Sequence, residues 1–74
     1  MTITDLIAEA TTAVDHAKQA DALARDAARA AEIRGGFDSI NAAREVYAAT
    51  TRNLRGAIRL RSNLISIANA AASI

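Results

Sequence analysis

The sequence predicts an all-α protein: a long antiparallel helical hairpin that self-associates into a four-helix bundle. Three observations carry that expectation. The chain of 74 residues contains no proline, and 20 of its residues are alanine. Alanine is the best helix former and proline the worst. Two of the three glycines stand together at the midpoint, Gly35–Gly36, and Phe37, Asp38 and Ser39 follow them. On either side of that pair, apolar residues recur at spacings of three and four, the period of one helical face. The reading is a single domain over residues 1–74, with arms at about 3–34 and 39–72 and a turn at 35–38.

The first arm opens on Thr2 and Asp5, which have capping-box spacing, with Asp in place of the usual Glu or Gln. Ile3, Leu6, Ala10, Ala13, Ala17, Ala20, Ala24, Ala27 and Ala31 then step by 3 and 4 in strict alternation, and no charge interrupts them. That is an a/d seam of the coiled-coil kind. Its small side chains bring two helices to the close end of the ~8–10 Å packing range. Ile7, Val14, Leu23 and Ile33 flank it and supply the larger apolar surface. Thr11–Thr12 with Asp15 resembles an internal capping box and marks a possible interruption.

The turn calls for a glycine in the left-handed position that ends a helix. Asp38 or Ser39 is then the expected N-cap of the second arm. In that arm Ile40, Tyr47, Leu54, Ile58 and Ile65 fall on one narrow arc, with Tyr47 a core residue. Val46, Leu60, Leu64 and Ile67 fall on a neighbouring arc about a third of a turn away. Together they cover nearly half the helix, wider than one antiparallel partner can bury. The stretch Thr50–Gly56 is weak, because β-branched residues, Asn and an interior Gly all disfavour helix. A break there gives the alternative architecture, a three-helix bundle. The C-terminal run Ala68–Ile74 carries no charged side chain and reads as an apolar contact for another subunit.

Size points the same way. Of the hydrophobic residues, which make up 51% of the chain, more than half are alanine; there is one Phe, one Tyr and no Trp. A chain this short buries only ~60% of its unfolded surface even with a good core. A second chain is therefore expected, most simply in a two-fold dimer. In outline this is similar to small plasmid-encoded hairpin proteins that dimerise and bind RNA, with no motif matched residue by residue.

Composition also narrows the chemistry. The absence of cysteine excludes disulfides and thiolate metal sites. His16 is the only histidine, and no carboxylate stands three or four residues from it to make a metal pair. Ser39, Ser62, Ser66 and Ser73 have no local base. Gly35–Gly36 lacks the spaced glycines and the lysine of a phosphate loop. The acids are spread around the first helix rather than paired. The expectation is a protein that is not an enzyme and needs no cofactor or metal. No basic-then-apolar leader and no apolar span of ~18 residues occurs, which suggests a cytoplasmic protein that makes no membrane contact. A virion subunit or a leaderless secreted one would share the fold.

Net charge is +1, but it is unevenly placed. Beyond Glu45 there is no acidic side chain, while Arg52, Arg55, Arg59 and Arg61 follow. With Arg44, the residues Arg52, Arg55 and Arg59 form a stripe facing away from the apolar arc, spaced to follow phosphates. In an antiparallel hairpin, Asp15 and Asp21 come near residues 51–57 and are expected to pair with part of that charge. Arg61 projects between the two apolar arcs. Either its stem lies along apolar surface with the head in water, or it meets an acid such as Glu9 on another chain.

The functional expectation is a non-enzymatic interaction protein: an assembly subunit, adaptor or inhibitor. It binds itself, and another protein, through Ile3, Leu6, Ala10, Ala13, Ala17, Ala20, Ala24, Ala27, Ala31, Ile40, Tyr47, Leu54, Ile58, Leu64 and Ile65. The alternative is a small dimeric nucleic-acid-binding regulator using Arg44, Arg52, Arg55 and Arg59.

Overall fold

The computed structural model describes residues 1–73. They form two helices and no strand: α1, Ile3–Arg34, and α2, Phe37–Ala72. These pack side by side as an antiparallel hairpin measuring 58 × 15 × 14 Å. At 1.5 Å per residue the helices account for about 48 and 54 Å of that length. The rod is one helix pair thick throughout.

The start of α1 follows its sequence signal. The Asp5 amide donates to Thr2 Oγ1 and the Thr2 amide donates to Asp5 Oδ2, each at 3.1 Å. This reciprocal pair satisfies two of the amides that every helix start leaves free. Asp5 in the first turn and Arg34 in the last also complement the helix dipole.

The turn is made differently from the expectation. Neither glycine is left-handed: Gly35 has φ −86° and ψ 160°, and Gly36 has φ −80° and ψ 176°. Both are extended, so the chain reverses with two residues between the helices. Space explains the glycine at 35. Its amide donates to the Ala31 carbonyl at 2.6 Å. A Cβ there would lie 2.7 Å from that same oxygen and 3.1 Å from Ser39 Cβ. Helix α2 begins at Phe37, two residues before the expected 39, with Gly36 as its N-cap and no side-chain cap. Asp38 and Ser39 are already inside the helix, so neither caps it. Asp38 instead places a negative charge in the first turn.

No break interrupts either helix. Thr11 Oγ1 donates to the Ile7 carbonyl at 2.9 Å and Thr12 Oγ1 to the Ala8 carbonyl at 3.2 Å. The threonines thus bond back onto their own helix instead of capping a new one. Helix α2 runs straight through residues 50–56, which excludes the three-helix alternative within the chain. The reason lies on α1. Thr51 Oγ1 donates to Asp21 Oδ1 at 2.8 Å, and Thr50 Oγ1 lies 2.9 Å from both that oxygen and the Tyr47 carbonyl. A hydroxyl has one proton, so Thr50 serves one acceptor at a time. The poor helix formers are held by the facing helix.

This bond fixes the register, with Asp21 opposite Thr50. Carried along both helices, it sets Val14 opposite Ala57, Ala24 opposite Tyr47 and Ala28 opposite Ala43. The seam of α1 therefore runs Ile3, Ile7, Ala10, Val14, Ala17, Asp21, Ala24, Ala28, Ala31, all buried or half-buried. The seam of α2 runs Ile40, Ala43, Tyr47, Thr50, Leu54, Ala57, Arg61, Leu64, Ala68, all half-buried. The expected α1 seam is correct at Ile3, Ala10, Ala17, Ala24 and Ala31. It is one residue early at Leu6, Ala13, Ala20 and Ala27, which are exposed. Ile7 and Val14 belong to the seam rather than flanking it.

The core is thin. The fully buried side chains among the described residues are Ala10, Val14, Ala24 and Ala28, all on α1. Helix α2 buries none completely. Leu54, Leu64 and Ile65 are half-buried, while Ile58 remains 47% exposed at the edge of the seam.

Candidate interaction surface

The heptad positions beside the seam define two flanks of the rod. One flank takes the residue just before alternate seam positions on each helix: Leu6, Ala13, Ala20 and Ala27 on α1, and Val46, Asn53, Leu60 and Ile67 on α2. A shallow groove lined by Leu6, Glu9, Ala10, Ala13, Leu60 and Leu64 confirms that the two rows lie on the same side. Val46, Leu60 and Ile67 are each 55–58% exposed. The next rows outward add Glu9, His16, Leu23 and Ala30 from α1, and Ala42, Ala49, Gly56, Asn63 and Ala70 from α2. Between Glu9 and Arg34 this flank carries no Asp, Glu, Lys or Arg on α1, and it carries none anywhere on α2.

The opposite flank is charged. It presents Asp15, Lys18, Arg25, Arg29 and Glu32 from α1 with Arg44 and Arg55 from α2. Arg44 Nη2 donates to Glu32 Oε1 at 3.2 Å, the one ion pair between the helices among the described residues. Both groups are more than half exposed, so the pair adds little stability. Arg25 and Asp26 approach to 3.5 Å on α1. The expected pairing of Asp15 and Asp21 with the second-arm arginines does not form. Asp21 is taken by Thr50 and Thr51, and Asp15 makes no ion pair among the described residues.

That leaves the arginine stripe partly assembled. Arg44, Arg52 and Arg55 line one open groove with Tyr47, Ala48 and Thr51. Arg59 lies outside it, on the outer face of α2. Among the described residues, Arg52, Arg55 and Arg59 have no carboxylate within ion-pairing distance. Tyr47 occupies the seam as expected, with part of its ring reaching this groove.

Arg61 sits at a seam position, half-buried, where the periodicity asks for an apolar residue. Its Nε donates to Thr11 Oγ1 at 2.8 Å, while that hydroxyl donates onward to the Ile7 carbonyl. A groove of about 450 Å³ surrounds it, lined by Val14, Lys18, Ile58, Ser62, Ile65 and Ser66. Glu9 lines the other flank, so within the chain it is remote from Arg61.

No group of three or more His, Asp or Glu side chains suited to a metal occurs among the described residues. His16 stands exposed on α1. No helix among them is long and apolar enough to cross a membrane. The apolar C-terminal run continues α2 to Ala72; Ile74 lies outside the described residues. The expected interface residues thus divide by place. Ile3, Ala10, Ala17, Ala24, Ala31, Ile40, Tyr47, Leu54 and Leu64 close the hairpin on itself, whereas Leu6, Ala13, Ala20 and Ala27 form its uncharged flank, and Ile58 and Ile65 edge the charged one. The sequence reading missed Val46, Leu60 and Ile67 as one row with those alanines; their spacing of fourteen and seven, whole heptads, was the available signal. Comparison of the chain with protein-family models, with curated proteins and with solved structures finds no match.

Proposed function

We propose that the protein is a non-enzymatic helical interaction subunit whose hairpin is completed by other helices, first of all those of a second copy, in a four-helix bundle. One observation carries this reading: the single hairpin leaves too much of itself in water. It exposes 5494 Å². A compact monomer of 7.7 kDa exposes roughly 4,300 Å², so the hairpin exceeds it by about 1,200 Å². It removes from water only about half of the surface of its unfolded chain. Part of what is exposed is leucine, isoleucine and valine in rows, and apolar side chains exposed side by side mark an interaction face.

Sedimentation velocity over a wide concentration range tests this. The wild type is expected to run above 7.7 kDa, and Arg52→Glu with Arg55→Glu should leave its mass unchanged. A helical monomer at every concentration would count against self-association. Leu54→Asp is a poor probe, because Leu54 lies in the hairpin's own seam.

A second reading rests on the arginines. Arg44, Arg52 and Arg55 share one groove, and no carboxylate neutralises the last two. Apolar assembly would leave that flank free for an anionic partner such as nucleic acid. Binding of a labelled oligonucleotide would then weaken steeply with salt, roughly one power of salt per phosphate contacted. Salt-insensitive binding, or none, would dismiss it.

A further inference from the structure

We infer that the uncharged flank is the self-association face, and that two hairpins meet across it with their turns at the same end. This rests on the reading above and adds which surface is used, by which partner and in which direction.

Charge selects the flank. In an isologous two-fold contact each patch faces a copy of itself. The charged flank carries five bases, Lys18, Arg25, Arg29, Arg44 and Arg55, against two acids, Asp15 and Glu32. Facing a copy of itself, it would set a net positive patch against a net positive patch, which is costly. The other flank has no charged side chain between Glu9 and Arg34 on α1 and none on α2. Area is sufficient. A rod 58 Å long and 15 Å wide presents a face of roughly 800 Å² per copy, the amount a standard stable interface takes from each partner.

Side-chain size sets the direction. Along this flank α1 presents Leu6 and then the small row Ala13, Ala20 and Ala27, and α2 the larger row Val46, Leu60 and Ile67, interrupted by Asn53. With turns at opposite ends, α1 meets α1 and α2 meets α2. Alanine then faces alanine on one seam while Val46 and Leu60 face their counterparts on the other, so one helix pair packs close and the other wide. With turns at the same end, α2 of each copy lies on α1 of the other and the hairpin's own register is repeated across the interface. Leu60 then comes within about 3 Å, along the axis, of the level of the partner's Ala13, and Val46 does the same at the partner's Ala27. Leu60 and Val46 thus each seat over an alanine on both seams, with Asn53 level with Ala20, while Ile67 meets Leu6 at the end away from the turn. The alternation lets the middle of the interface approach the density of a protein interior.

The chain has no cysteine, so single labels can be placed cleanly. Ile33 lies at the turn end of α1, is 81% exposed and is off the flank. Electron–electron distance measurement on nitroxide-labelled Ile33→Cys is expected to give roughly 30 Å, the diagonal of a bundle with ~10 Å helix spacing plus the labels. A distance of roughly 40 Å or more, the axial separation that helix rise gives two labels at opposite ends, would place the turns at opposite ends and overturn the orientation while leaving self-association intact. Ala20→Arg, at an exposed position on a helix that arginine favours, should weaken the dimer by at least about 100-fold without loss of helicity. Leu60→Asp should do the same. A dimer indifferent to both would overturn the choice of flank. A wild type monomeric at all concentrations would overturn the proposal together with the reading it rests on.

Discussion

The two adjacent glycines of the turn are there for different reasons, and substitution should separate them. Gly35 is a steric requirement: a Cβ would meet the Ala31 carbonyl oxygen at 2.7 Å, and a backbone atom cannot swing aside. Gly35→Ala is therefore expected to cost about 1–3 kcal/mol in denaturant unfolding, the range for overpacking. Gly36 has open space around its Cβ position and caps α2 without a side chain. Gly36→Ser supplies an acceptor for the first free amides of α2 and should stabilise by a few tenths of a kcal/mol. Equal effects of the two changes would contradict this account of the turn. The polar seam residues follow a similar logic. Asp21 and Arg61 both occupy positions that periodicity reserves for apolar side chains, and each finds a threonine hydroxyl on the other helix. Asp21→Ala strips Thr51 of its acceptor while Thr50 retains the Tyr47 carbonyl, so the expected loss is about 1 kcal/mol.

At the scale of the helices, much of the fold was legible because its signals are local. The capping box at Thr2 and Asp5 set the start of α1, and the glycine pair set its end at Arg34. The arginine stripe was legible as a row, though not the loss of Arg44 to Glu32. What could not be read was anything depending on the facing helix. The α1 seam was placed one residue early at alternate positions for two reasons. Alanine is so frequent that the row Leu6, Ala13, Ala20, Ala27 is as apolar as the true one, and the true row contains Asp21, whose charge counted against it. The weakness of Thr50–Thr51 looked like a break for a matching reason. These two misreadings are one feature seen from opposite helices: an acid and a threonine pair, each unfavourable alone, that satisfy one another across the hairpin. Such a polar layer in a thin apolar seam fixes register at some cost in stability. The same alanine row, displaced from the seam, shares the uncharged flank with Val46, Leu60 and Ile67, whose exposure there explains why the apolar surface of the second arm looked too wide for one partner.

For the whole molecule, the central claim is that a rod one helix pair thick, with four fully buried side chains among the described residues, is completed by a second copy. Thermal unfolding followed by helicity, at protein concentrations differing 100-fold, tests it most directly. A folded state made of two chains gains about 2.7 kcal/mol of apparent stability over that range by mass action. Spread over the unfolding entropy of two 74-residue chains, this raises the midpoint by about 9 °C. The account predicts a rise of that size. A midpoint that does not move with concentration would mean that the hairpin stands alone, and would contradict it.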